Sequence, residues 1–198
     1  SYTQPFRLNI FNENLFYHEF SVNDYPLFEY QPYESVLASK IVDVTMYESL
    51  DVLHVHYAIP HASVAYMAQQ ILRSKKIFLP YLTTLHGTDI TLVGRDPAFE
   101  PVIRFSLNNS NAITSVSESL KKDTLSTFKI DNKITVVPNF INMKEYTSVH
   151  NAEHKKKYAP NNEKILIHIS NFRKVKRVED VLKVFDIVRR SVPSRLIL

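Results

Sequence analysis

The 198-residue sequence predicts an α/β fold built on a parallel sheet, followed by the beginning of a second unit of the same kind. Three observations carry this reading. Short β-branched apolar runs alternate with segments of helical spacing from Leu50 to Pro138. A polar, lysine-rich stretch from Met143 to Asn162 then interrupts the pattern. Beyond it, a strand, a basic loop, a helix and another strand follow from Lys164 to Leu198. With 44% hydrophobic and 22% charged residues, the chain has ample apolar surface for a core.

Taken in order, Ser1–Phe11 alternates polar and apolar residues, so the sequence is expected to open inside a sheet. Leu50–His56 reads as a buried strand. Pro60 suits the first turn of a helix whose apolar spacing runs from His61 to Arg73. Lys75–Leu85 is the next strand region, with Pro80 at its entry rather than its middle. His86–Asp89 is a turn in which Gly87 permits a positive φ or a close backbone approach. Pro101–Asn108 reads as a helix and Ala112–Val116 as a strand. Ser117 is placed to cap a helix carrying Leu120–Phe128. Lys133–Pro138 is a further strand, left through Asn139. Alternation of this kind predicts helices on both faces of a parallel sheet, with ligands beyond the carboxyl ends of its strands. Those ends are marked by Tyr57, His61, His86, Ser117 and Asn139.

The predicted domains are residues 1–145, a linker over 146–162, and residues 163–198. Arg177–Arg190 is expected to be amphipathic, with Val178, Val181, Leu182, Val184, Phe185 and Val188 on its apolar side. Two strands and one helix cannot bury a parallel sheet, so the rest of the second domain is expected beyond Leu198 or from another chain.

Cysteine is absent, which excludes disulfides, a thiol nucleophile and cysteine-rich zinc sites, and suits a reducing, cytoplasmic compartment. No apolar run is long enough to span a membrane. Asn108-Asn109-Ser110 matches a glycosylation sequon and is read as a chance match. The net charge of +4 is uneven: twelve Lys and Arg face five Asp and Glu after residue 150. Such an excess fits an anionic ligand or simply a solvated surface.

Among candidate sites, His54, His56 and His61 cluster, with His54 and His56 on one strand face. No carboxylate of matching spacing completes a metal site, so the histidines are read as packing beside the sheet and no metal is expected. Asn171-Phe172-Arg173-Lys174-Val175-Lys176-Arg177 links a strand to a helix N-terminus. Free N–H groups and four cations there suit a phosphate, although a basic surface turn has the same appearance. Glu179 and Asp180 are adjacent and point apart, while Glu179 and Lys183 have stabilising helical spacing. No glycosidase-type carboxylate pair, serine elbow, phosphate loop or zinc-protease motif occurs. The basic segment lacks interleaved aromatics, so no nucleic-acid partner is expected.

The segments Tyr25–Tyr30, Leu53–Ala62 (LHVHYAIPHA), Thr83–Thr91 (TTLHGTDIT), Ile103-Arg104-Phe105, Ser115–Leu120 (SVSESL), Val137–Ile141 (VPNFI) and Ser170–Val178 (SNFRKVKRV) together carry a resemblance. The chain resembles the retaining GT-B glycosyltransferases of family 4, the group 1 enzymes, and within them the branch that glycosylates L-malate in bacillithiol biosynthesis. The resemblance implies two Rossmann-like domains facing a cleft, the first binding the acceptor and the second the UDP-sugar. It implies UDP-N-acetylglucosamine as donor, L-malate or another small acceptor, no cofactor, and no metal. By position, His86 is similar to the histidine that contacts the donor sugar. Lys176 is similar to the diphosphate-binding lysine. Asn171 stands where most family members have arginine, with Arg173 as a compensating cation. Tyr57, Thr84 and Arg104 are implied for the acceptor, and Asn139 and Ser117 for the cleft. The resemblance also implies a Gly-rich loop before Ser1 and a glutamate-bearing segment after Leu198, so that both ends are truncated. Another family-4 acceptor, or a non-catalytic nucleotide-binding module, remains an alternative. A homo-oligomer is compatible with the sequence.

Overall fold

The computed structural model describes residues 14–22, 29–91, 94, 96–144, 146 and 152–198. The expectation for Ser1–Phe11 and most of the Tyr25–Tyr30 segment lie outside the described residues. The chain divides into two compact units, residues 1–140 and 141–198.

The first unit holds helix α1 (Tyr33–Glu48), strand β1 (Leu53–His56), an irregular turn (Ala58–Ala62), α2 (Ser63–Ser74), β2 (Tyr81–Leu85), a short α3 (Thr88–Thr91), α4 (Glu100–Asn108), β3 (Ala112–Ser115), α5 (Glu118–Thr127) and β4 (Ile134–Val136). The four strands are parallel and lie in the order β1-β2-β3-β4. Each crossover therefore steps the same way, and right-handed crossovers of that kind put their helices on one face. The buried residues agree. Ile103 and Leu107 of α4 and Leu120 of α5 pack with Leu85, Ile113 and Ile134, while Ala65 of α2 packs with Val55 and Tyr81. Helices on both faces were expected. Among the described residues the core clusters occupy one face, and the opposite face carries His54, His56, Leu82, Thr84 and Thr114.

Several local expectations meet their physical reasons. Pro80 immediately precedes β2, and Ser117 Oγ accepts the Leu120 N–H at 3.1 Å. Pro60 lies in the first turn leading into α2, as its residue type suits: Ile59 before it is extended at φ −131°, ψ 136°, and Ala62 after it is helical at φ −68°, ψ −36°. α2 starts three residues later and buries Val64, Ala65, Ala68, Gln69 and Leu72, a helical stripe. α1 has no counterpart among the sequence-predicted elements. Its buried residues are only Ala38, Val42 and Thr45, too few to print a periodic apolar pattern. Asn108 of the sequon is engaged: its Nδ2 donates to Lys129 O at 3.1 Å and its Oδ1 accepts the Asp131 N–H at 2.9 Å.

The second unit holds α6 (Ala152–Tyr158), β5 (Lys164–Ile167), a single 3-10 turn (Lys174–Lys176), α7 (Val178–Ser191) and β6 (Ser194–Ile197), with β5 and β6 parallel. α6 falls inside the stretch read as an unpatterned linker, and the division between units falls before it. None of the residues of α7 is buried. Its Asp180 pairs with Arg177 and with Lys183, the latter at 3.7 Å, so the expected Glu179–Lys183 pair is replaced by an i,i+3 contact.

Candidate functional site

The carboxyl ends of β1 to β4 converge on a hollow of about 340 Å³. Its lining includes His54, His56, Thr84, His86, Thr114 and Asn139. Strand periodicity explains the grouping. In register, His56, Thr84 and Thr114 follow one another across the sheet, on the face that the core helices leave open.

Short hydrogen bonds fix these groups. His54 Nε2 lies 2.7 Å from Thr84 Oγ1, which lies 2.7 Å from Thr114 Oγ1. His56 Nδ1 lies 2.8 Å from His86 Nε2. The His54 and His56 rings stack with centroids 4.6 Å apart, and the Tyr57 ring lies 4.9 Å from that of His86. His61 Nδ1 donates to the His56 carbonyl at 2.6 Å, and Tyr33 Oη lies 3.3 Å from its other nitrogen. Each of the three clustered histidines thus has a protein partner. Among the described residues, no group of three or more His, Asp or Glu is arranged to hold a metal ion. Burial, and after it the neighbouring His54, His86 and His61 imidazoles, holds His56 below its ordinary pKa of 6.5.

The loops bearing Tyr57 and His86 are tied by one carboxylate. Asp89 is 2% exposed. Its Oδ2 accepts the Ala58 N–H at 2.7 Å and its Oδ1 accepts the Gly87 N–H at 3.1 Å. The sequence reading of His86–Asp89 as a turn agrees with this role. Gly87 has φ 119°, a conformation that side-chain-bearing residues rarely adopt, and its carbonyl accepts the Ile90 and Thr91 N–H groups of the α3 turn. Tyr57 itself has φ 76°, and its N–H continues the sheet ladder to Thr84 O at 2.9 Å.

The structure therefore brings Thr84, His86 and Asn139 into one hollow, with Tyr57 against its edge. It does not bring Ser117 there, because that hydroxyl is occupied as the α5 cap. Arg104 lies on the exposed face of α4, 3.5 Å from Glu100, and does not line the hollow. The sequence reading missed His54, His56 and Thr114 as lining groups. Their signal was the two-residue period of His54 and His56, which had been weighed only for metal binding. A hollow of about 530 Å³ beside α1 is lined by His18, Lys40, Asp43, Val44, Met46 and Tyr47 and contains no strand-end residue.

In the second unit, Phe172, Arg173, Lys174, Arg177, Val178, Glu179 and Asp180 line a hollow of about 460 Å³. Asn171 O accepts the Arg173 N–H at 2.6 Å, and Arg173 O accepts the Lys176 N–H at 2.8 Å, which folds the basic loop back on itself. Arg177 opens α7 at φ 50° and is committed to Asp180, whose carboxyl it holds below the ordinary carboxylate range. Arg173, Lys174 and Lys176 are exposed, with no carboxylate within 4 Å among the described residues. Three of the four expected cations are thus available to an anion.

A profile of Glycosyltransferase Family 4 matches residues 4–145. The chain is 47% identical over 195 residues to the N-acetyl-alpha-D-glucosaminyl L-malate synthase of Bacillus anthracis, which covers 98% of this chain and 50% of that protein. It is 28% identical over 95 residues to an uncharacterized glycosyltransferase, MJ1178, of Methanocaldococcus jannaschii, covering 48% of this chain and 25% of that one. The chain spans about half the length, or less, of these curated relatives. No helix among the described residues is long and apolar enough to cross a membrane.

Proposed function

The chain belongs to glycosyltransferase family 4, and on that premise we propose that its protein transfers N-acetylglucosamine from UDP-N-acetylglucosamine to L-malate. The observation that carries this reading is the identity of 47%, sustained over 98% of the chain, to a protein named for that product. In this reading His86 meets the donor sugar at the strand-end hollow, and Lys176, with Arg173 and Asn171, receives the diphosphate. Lysine acts there as a point charge, and arginine can add paired N–H donors. Tyr57, Thr84 and Arg104 belong to the acceptor, with Asn139 beside them. Arg104 would have to exchange its Glu100 partner for a malate carboxylate.

The chemistry is retaining and needs no metal. The anomeric carbon–phosphate oxygen bond breaks, a bond to the malate hydroxyl oxygen forms on the same face, and the hydroxyl proton passes to the departing diphosphate. The protein's part is positioning and electrostatic stabilisation, which suits the missing pair of catalytic carboxylates. Absence of cysteine suits a cytoplasmic setting.

The test is turnover by the full-length protein with UDP-N-acetylglucosamine, with and without malate. Malate-dependent UDP release with an α-linked product, unchanged by a chelator, is the expected result. Release with other acceptors alone would keep the family and discard malate. Nucleotide binding without transfer would reduce the protein to a binding module. If Arg104→Ala leaves malate turnover unchanged, the assignment of that arginine to the acceptor falls.

A further inference from the structure

His56 and His86 share one hydrogen bond between ring nitrogens, and such a bond admits one proton only. If both nitrogens carried a proton, two N–H groups would face each other at 2.8 Å. The surroundings of His56 favour its neutral form. His56 has the stacked His54 ring on its own strand, His86 from the β2 end, and His61 from the following turn bonded to its carbonyl. His61 donates through Nδ1, since a carbonyl can only accept. Three imidazoles around one ring disfavour a cation there, and burial acts in the same direction. A neutral His56 in its Nε2–H tautomer is suited to accept through the Nδ1 that meets His86 Nε2.

We propose that His56 is a positioning residue for His86: it accepts the His86 Nε2 proton, fixes that ring against Tyr57, and leaves His86 Nδ1 as the nitrogen available to a ligand. The consequence for chemistry is specific. With Nε2–H committed to His56, a neutral His86 offers a hydrogen-bond acceptor at Nδ1, matched to a sugar hydroxyl that donates. On taking up a proton His86 becomes a donor at Nδ1, and the bond to His56 survives. The dyad thus sets whether the site accepts or donates without moving the ring.

This inference rests on the proposed role of His86, but its first test does not. Imidazole nitrogens are labelled with ¹⁵N in the full-length protein, and the His86 tautomer is read by NMR above pH 7 without substrate. The expected result is Nε2–H for His86, replaced by a mixture of tautomers in His56→Phe and restored in His56→Asn, whose side chain offers an acceptor near the Nδ1 position. A His86 tautomer that is Nδ1–H, or that is the same in all three proteins, overturns the proposal. The second test is kinetic. His56→Phe should lower kcat by about tenfold to a hundredfold and displace the acid limb of its pH profile, with KM for the UDP-sugar changed less than about threefold. Asn should recover most of the loss. Equal loss in both variants, with an unmoved pH profile, would mean that His56 only packs. If the wild-type protein transfers no sugar, the transferase reading fails and the NMR arm still decides the dyad.

Discussion

The two units of this chain put similar sequence patterns to different use. In the first, four parallel strands and their helices enclose Leu85, Ile90, Ile103, Leu107 and Ile113, each at most 1% exposed. In the second, no residue of α7 is fully buried: Val178, Val181, Phe185 and Val188 are half-buried, while Leu182 is 47% exposed and Ile187 66%. Yet α7 is as amphipathic in sequence as α2. An apolar stripe specifies that a helix will have a core face. It does not supply the opposing surface, and a two-stranded sheet has too little of it. The first unit places its functional groups on a rigid scaffold, whereas the basic loop of the second is shaped by its own backbone hydrogen bonds.

That difference can be broken or sharpened by measurement, beginning with the largest effect. Amide exchange on this chain should show β2 and β3 protected roughly a thousandfold or more beyond α7, since protection follows local burial. Equal protection would mean that α7 has found a covering surface. Next, Leu107→Ala should cost about 2–5 kcal/mol in denaturant unfolding of the first unit, while Leu182→Ala should cost under about 1 kcal/mol because half of it is already in water. A similar loss in both would erase the contrast. Asp89→Asn should cost about 1–3 kcal/mol, because one of two backbone donors would then face an amide NH₂ instead of an oxygen.

The smallest effect separates the units by pH. His56 is depressed from 6.5, so as pH falls through that value the unfolded chain takes up the proton before the folded one does. Stability of the first unit should therefore decline from about pH 6.5 downwards. Asp180 and Asp186 are depressed from 3.8, first by their hydrogen bonds to Arg177 and to Arg190. Their contribution is present above that range and is lost as pH falls through their lowered values. It should be small, since both pairs are exposed and screened. Separate unfolding monitored by NMR would show whether the first unit responds to acid before the second. A His56→Phe chain that keeps the same slope near pH 6 would remove His56 as its source.

Much of the site was legible in sequence wherever a strand end met a residue with few other uses. His86 and Asn139 were marked that way, Thr84 by resemblance, and Ser117 was recognised as a cap by its position before a helical run. Arg104 was marked by resemblance alone, and its spacing from Glu100 equally allows the surface ion pair that is observed. The pairing of His56 with His86 was not legible. It depends on which neighbour β1 takes in the sheet, and residues thirty apart in sequence become partners only when β2 lies beside β1.

By itself the sequence determined the alternation of strands and helices from Leu50 to Pro138 and from Lys164 to Leu198, though not α1 or α6, together with the absence of cysteine from these residues and the basic loop before α7. These depend on local periodicity, turn chemistry and composition, which each segment carries alone. Tertiary structure decided which sheet face stays open, which histidines share a proton, and that Asp89 ties two loops together. Those outcomes depend on strand order and register, which arise only when distant segments compete for the same burial and the same hydrogen-bond partners.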